Sequence, residues 1–113
     1  NLEFVYKICK ISEWIKAKKN GKFDGTEKDK SDGYIHFSSI EQVENTLAKH
    51  YPNEKELILL KVKTINLDSL VWEQASDGNF FPHLYSFLNA SDVCGEHYLN
   101  LNEDGSHKVA LDY

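Results

Sequence analysis

Leu57-Ile58-Leu59-Leu60 is the longest apolar block in the chain. Four residues make a buried strand, far short of the roughly 20 that a membrane-spanning helix requires. A chain with such short blocks must build its core from several short elements joined by loops. No charged start followed by an apolar stretch and a cleavage site is visible, so neither a leader nor a membrane anchor is expected. The 113 residues suit a single domain over residues 1–113, since domains commonly hold roughly 100–150 residues. A content of 41% apolar and 12% aromatic residues supplies a core of ordinary size.

Charge narrows the function classes. The net charge is −5, and all thirteen bases are lysines because arginine is absent. An acidic balance argues against a nucleic-acid binder, which is normally basic overall. Without arginine no bidentate guanidinium clamp exists, because lysine supplies only a point charge. Residues 1–32 carry eight lysines and six acids, while residues 33–113 carry five lysines and twelve acids. The first part can therefore form a mild basic face, or simply a solvated lysine-rich helix end. Cys9 and Cys94 form no Cys-x-x-Cys pair, and both are expected to be reduced, mostly buried thiols of a cytoplasmic protein.

The local patterns predict an α+β domain, with two helices and a curved, mostly antiparallel sheet of six or seven strands. Phe4-Val5-Tyr6-Lys7-Ile8 reads as the first strand. Ser12 is the expected N-cap of a short helix that ends at Gly21. Residues 20–33 read as a polar loop. Tyr34-Ile35-His36-Phe37 is the second strand, followed by a Ser39-x-x-Gln42 capping box. Ile40, Val43 and Leu47 then fall on one helical stripe, and Pro52 ends that helix. Leu57–Lys63, Leu70–Glu73 and Phe80–Leu88 are further strands, the last two separated by a Ser76-Asp77-Gly78-Asn79 turn. Val93–Leu101 and His107–Leu111 form a hairpin over about residues 93–111.

Two constellations carry candidate chemistry. In Asp32-Gly33-Tyr34-Ile35-His36-Phe37-Ser38, strand alternation puts Tyr34, His36 and Ser38 on one face and Ile35 and Phe37 on the other. Phenol, imidazole and hydroxyl thus share a face, although a lone histidine in a strand often only bonds a neighbouring strand. In Val71-Trp72-Glu73 and Phe81-Pro82-His83-Leu84-Tyr85, Glu73 shares a face with Val71, and His83 shares one with Tyr85. Trp72 reads as core. Glu73, a carboxylate among apolar neighbours, must be solvated, paired or functional. Pro82 suggests a strand start or an edge.

Other chemistries lack their patterns. None of the five histidines makes a His-x3-His or His-Glu-x-x-His spacing, so no metal is expected. No Gly-x-Gly-x-x-Gly or Walker loop is present, and neither Asp32-Gly33 nor Asp77-Gly78 forms a calcium loop. Nucleophilic catalysis by Cys9 needs a base that the sequence does not supply. What is left is a cleft of imidazole, hydroxyls, phenols and one carboxylate, a set suited to a sugar-bearing ligand. Imidazole and hydroxyls bond ribose, a ring stacks on a base, and a carboxylate stabilises positive charge developing on the sugar.

At these residues the chain resembles the bacterial domain-of-unknown-function 952 family. The resemblance rests on Tyr6-Lys7-Ile8, Glu13-Trp14, Asp32 to Ser38, Gln42-Val43, Leu57 to Val62, Trp72-Glu73 and Phe81-Pro82-His83-Leu84-Tyr85, in order over about residues 4–93. The family's hallmark runs are Gly-Phe-Ile-His-Phe-Ser and Phe-Pro-His-Leu-Tyr-Gly. This chain departs from them with Tyr34 for phenylalanine and Ser86 for glycine. The family is biochemically uncharacterised, and its fold is similar to that of ADP-ribosyltransferases, which cleave NAD at the nicotinamide bond. By that resemblance His36-Phe37-Ser38 is like the NAD-contacting His-x-Ser/Thr element, with Glu73 and His36 as the catalytic candidates. Tyr6, Lys7, Tyr34, Ser38, His83 and Tyr85 are the ligand-binding candidates, with Tyr6 and Tyr85 as stacking groups. Lys7 is the one base of the first strand that can stand in for an arginine. No cofactor is expected to be tightly bound, and NAD enters as a candidate substrate. A small-molecule nucleotide is the expected partner, with no nucleic acid, no membrane and no identified protein partner. Two function classes stay open: an NAD or nucleotide cleft performing ADP-ribosyl transfer or NAD glycohydrolysis, and a non-catalytic module binding a small ligand or peptide. A third, plainer reading is a scaffold whose polar runs are structural.

Overall fold

Strand β1 (Phe4–Lys10) runs without a break into helix α1 (Ile11–Asn20). The structure, a computed structural model, describes residues 3–109. The helix starts after Lys10 rather than after Ser12, because the Glu13 carboxylate accepts the Lys10 backbone N–H at 2.8 Å and ties down the first turn. Trp14 and Ala17 face inward, and Gly21 closes the helix in the left-handed conformation. The segment expected as a loop over 20–33 contains strand β2 (Lys22–Phe23) and helix α2 (Glu27–Asp32). Their polar composition hid them. Phe23 is the buried residue of β2, and the buried residue of α2 is an aspartate, Asp29.

Strand β3 (Ile35–His36) is two residues long where four were expected. Past His36 the chain leaves its ladder: the Phe37 N–H donates to the Pro82 carbonyl, and Ser38 exchanges two 2.8 Å backbone bonds with Tyr6. The Gln42 side chain accepts the Ser39 N–H at 2.9 Å, as the capping-box pattern predicts. A 3-10 turn then continues as helix α3 (Val43–His50), with Val43 and Leu47 buried. After it come β4 (Leu57–Lys63), β5 (Leu70–Gln74), β6 (Phe80–Leu84), β7 (Leu88–Asn89), β8 (Val93–Leu101) and β9 (His107–Lys108). The described residues therefore hold nine strands and three α-helices. The excess over the expected count comes from β2, α2 and the break of Phe80–Leu88 into β6 and β7. The expected extension of the last strand to Leu111 falls partly outside the described residues.

The strands form three antiparallel sheets rather than one curved sheet, in the orders β1-β4-β8-β9, β2-β7 and β3-β6-β5. In the first, β1 and β4 are covered on both faces. One face joins Val5, Cys9, Ile58, Leu60 and Val62 to Trp14, Phe23, Ile35, Phe37 and Leu84. The other joins Tyr6, Ile8, Leu57 and Leu59 to Val43, Leu47 and Leu99. Double coverage explains why β4 begins as an unbroken apolar run. Leu57 to Leu60 are each at most 1% exposed, and burying such side chains contributes about 1.5–3 kcal/mol apiece.

Three expectations about single residues change. Pro82 lies inside β6, the central strand of its sheet. Its carbonyl accepts from Phe37 just beyond the end of β3. In an antiparallel strand a residue's N and C=O point to the same side, so the missing N–H falls where the ladder has already stopped. Trp72 is 41% exposed rather than core, because β5 is the edge strand. Cys94 is exposed while Cys9 is buried. Val62 pairs with Val93 and Lys61 with Gly95, which leaves Cys94 as the extra residue of a bulge. No helix among the described residues is long and apolar enough to cross a membrane.

Candidate functional site

The site grows from the segment that composition hid. Thr26 caps α2: its hydroxyl accepts the Asp29 N–H at 3.2 Å, and the Asp29 carboxylate accepts the Thr26 N–H at 2.9 Å. This is a reciprocal capping box with aspartate in place of glutamate or glutamine. Gly25 (φ +107°) lets the chain enter this turn, and a Cβ there would lie 2.7 Å from the Asp29 Cβ.

Asp29 then does more than cap. Its Oδ2 also meets the Lys7 ammonium at 2.6 Å, and its Oδ1 takes the His36 N–H at 3.1 Å and His36 Nδ1 at 2.5 Å. Four donors thus converge on one carboxylate that is 2% exposed, filling its acceptor capacity. Burial opposes ionisation of Asp29. The His36 hydrogen bond and the Lys7 charge outweigh it and hold the carboxyl well below the usual carboxylate range. Lys7, itself 3% exposed, also donates to the His36 carbonyl at 3.0 Å.

Strand alternation brings the expected face together. The Tyr34 ring lies 4.6 Å from His36, stacks on His83 at 4.1 Å with 28° between planes, and lies 5.3 Å from Tyr85. The two imidazoles are 5.3 Å apart, edge to face. Their pairing follows from register, since His36 sits opposite His83 across β3 and β6. Each has a carboxylate on Nδ1: Asp29 for His36, and Glu73 Oε1 at 2.8 Å for His83. Beyond that they differ. His36 Nε2 stands 3.0 Å from Asp32 Oδ2, so both of its nitrogens face carboxylates. His83 Nε2 has no hydrogen-bond partner among the described residues. Trp14 Nε1 is the one sealed side-chain polar atom lacking a partner there, so His83 Nε2 is not sealed, though the residue as a whole is 9% exposed.

A cavity of about 410 Å³ opens in front of these groups. Of the candidates read from the sequence, Tyr6, Lys7, Tyr34, His36, Ser38 and His83 line it. Glu73 and Tyr85 do not. Glu73 stands behind His83, where Oε1 also accepts the Tyr85 hydroxyl at 2.6 Å. The Tyr85 bond, then the His83 bond, lower the Glu73 carboxyl, and in return the Tyr85 phenol is pushed up to about 12. Tyr85 lines a second, smaller cavity that shares Asp29 and Tyr34 with the first.

Sequence reasoning missed two parts of the lining. One is Asp29, whose available signal was Thr26-x-x-Asp29 between Gly25 and Gly33. The other is the polar side of α3 and its preceding turn, where Gln42, Asn45, Thr46 and Lys49 line the cavity. They recur at three- and four-residue spacing beside the buried stripe of Val43 and Leu47. Thr46 bonds the Ser38 hydroxyl at 3.2 Å, which joins the helix to the strand face. His50 and Tyr51 close that side. Burial, then Lys49, lowers His50, and burial pushes Tyr51 up to about 12. No group of three or more His, Cys, Asp or Glu side chains among the described residues is arranged to hold a metal ion.

Comparison with known proteins now bears on these residues. The family described as "Protein of unknown function (DUF952)" matches residues 8–95, a span that takes in α1, α2, both imidazoles and Glu73. The chain belongs to the DUF952 family. Among solved structures it is similar to protein CC0527 from Caulobacter crescentus, at 40% identity over 93% of each chain with a TM-score of 0.89 for the crystal form. The solution structure of CC0527 gives a TM-score of 0.83 at 40% identity, over 93% of this chain and 91% of that one. No curated protein matches the chain. The likeness to CC0527 agrees with the α+β fold of antiparallel sheets described above.

Proposed function

We propose that the DUF952 cavity of this chain binds a nucleoside-bearing small molecule, with NAD as the leading ligand. The observation that carries this reading is the lining itself. Three lysines (Lys7, Lys28, Lys49) and three aspartates (Asp29, Asp32, Asp77) balance, and hydroxyls, amides, imidazoles and phenols make up most of the remainder. A balanced lining favours a ligand recognised through ribose hydroxyls and a planar ring over a densely charged polyphosphate. A volume of about 410 Å³ falls within the roughly 300–1,000 Å³ of small-molecule sites. The likeness to ADP-ribosyltransferases implied by the resemblance belongs to this reading and supports the choice of NAD, by analogy of fold.

Chemistry on the bound ligand is a second reading, favoured by the open Nε2 of His83. In the tautomer that donates Nδ1–H to Glu73, Nε2 carries the lone pair. It would take the proton of a water or acceptor hydroxyl attacking the ribose C1′ while nicotinamide leaves with the C–N bonding electrons. Glu73 then acts through His83 rather than on the sugar.

An NMR titration of the protein with NAD tests the binding reading. The amides of Tyr34, His36, Thr46 and His83 are expected to shift together and to saturate. No shift at millimolar NAD or adenosine would overturn it. Release of nicotinamide, lost in His83→Ala, separates NAD glycohydrolysis or ADP-ribosyl transfer from binding alone.

A further inference from the structure

The second cavity, of about 210 Å³, adjoins the main cleft at Tyr34. Tyr34 and Asp29 line both, and Asp29 is sealed, so Tyr34 is the accessible residue that the two hollows share. At about 210 Å³ the second one is below the size of a site for a whole drug-sized ligand, roughly 300 Å³ and upward, and suits one ring system.

Its walls suit a planar ring. Tyr85 and Phe87 line it, 49% and 44% exposed, and so present ring surface to a ligand. Tyr85 is fixed by its hydrogen bond to Glu73, so that ring is a pre-set platform rather than a mobile side chain. Asp24 offers a carboxylate to an exocyclic amine. In the main cleft Lys7 and Lys28 are paired with Asp29 and Asp32, while Lys49 makes no salt bridge among the described residues. Lys30, which lines the second cavity, and Lys22, 4.6 Å from the Phe87 ring centre, make no salt bridge among the described residues. Neither lysine is thus held by a carboxylate, and a phosphate linker could pair with both.

We propose that the smaller cavity, adjoining the cleft at Tyr34, is a second subsite, which takes the second base of a dinucleotide-class ligand whose first nucleoside occupies the main cleft. The ligand crosses the edge of the half-buried Tyr34 ring, with its phosphates toward Lys22 and Lys30. This rests on the proposed nucleoside-binding function and adds to it the number of rings and the place of the charge.

The test compares NAD with nicotinamide mononucleotide on the full chain by NMR. Asn45 and Thr46 report on the main cleft, and Ser86 and Phe87 on the second cavity. NAD is expected to shift both sets, and the mononucleotide only the first. Phe87→Ala, at an exposed position that the fold does not need, is expected to weaken NAD roughly tenfold, the order of effect of losing one stacking platform, and to leave the mononucleotide unchanged. If NAD shifts the main-cleft residues alone, or if Phe87→Ala binds NAD as the parent does, the second subsite is overturned while the nucleoside-binding function stands. If NAD shifts neither set, the function itself falls and the subsite with it.

Discussion

The Lys7 ammonium and the Asp29 carboxylate meet at 2.6 Å with both side chains almost sealed from solvent. A buried ion pair is a weak source of net stability, because desolvation costs each ion several kcal/mol. Here the pair has a structural consequence. Lys7 comes from the middle of β1, Asp29 from a helix of six residues, and His36 from a strand of two. The one buried side chain of α2 is Asp29 itself, so the carboxylate with its four donors fastens α2 to the main sheet, and it ties in β3 beside the buried Ile35 and the Tyr6–Ser38 backbone bonds. The floor of the cleft depends on that fastening.

Asp29→Asn is expected to destabilise the fold by about 3–5 kcal/mol, since it leaves Lys7 charged and buried without a counter-ion. Lys7→Met combined with Asp29→Asn should recover much of the loss, since no buried charge is then unpaired and the amide oxygen still accepts from the backbone N–H groups. Urea unfolding of the parent and the two variants measures this, and a loss below about 1 kcal/mol for Asp29→Asn alone would contradict the fastening role.

The same pair sets an acid limit. The Asp29 carboxyl is held below its ordinary value of 3.8 in the folded chain. As pH falls below that value, the unfolded state takes up a proton that the folded state refuses, so stability is lost in acid and is fully present above about pH 5. Urea midpoints from pH 6 down to pH 2.5 are expected to fall more steeply for the parent than for Asp29→Asn, which has no carboxyl to titrate at that position.

Much of this arrangement was legible before any coordinates. Leu57–Lys63 and Val93–Leu101 have the bounds that apolar and alternating patterns predict. Period-two alternation also put Tyr34, His36 and Ser38 on one face. What the patterns could not deliver was Asp29. A six-residue helix whose inward side chain is a carboxylate has no apolar stripe, so hydrophobic periodicity is blind to it. Nor does spacing reveal that Glu73 turns toward His83 and Tyr85 rather than into the cleft. That depends on which way an edge strand faces once three separate sheets have formed.

The two thiols should react differently. Burial pushes the Cys9 thiol up to about 12, whereas Cys94 is exposed on its bulge. The thiolate is the reactive form. Mass spectrometry after alkylation at neutral pH is therefore expected to show one modified cysteine, Cys94, in the native protein and two after denaturation. Modification of Cys9 under native conditions would show that the β1 face opens.

Glu73→Gln isolates the group behind His83. The Glu73 carboxylate accepts from the Tyr85 hydroxyl and from His83 Nδ1. The hydrogen bond from Tyr85, then burial and the Glu73 charge, hold the phenol proton in place and push the Tyr85 value up to about 12. With a neutral amide the Tyr85 phenol is expected to titrate closer to its ordinary value of 10, which NMR of the Tyr85 ring carbons would follow. The fold should hardly change, because Glu73 is solvent-accessible and an exposed contact of this kind contributes little to stability. Toward the imidazole, an amide oxygen can still accept from Nδ1–H but carries no negative charge. If His83 acts as an acid–base group on a bound nucleoside, turnover in Glu73→Gln falls while NAD affinity is kept. If both stay at the parental level, Glu73 only braces Tyr85, and the open nitrogen of His83 works without it.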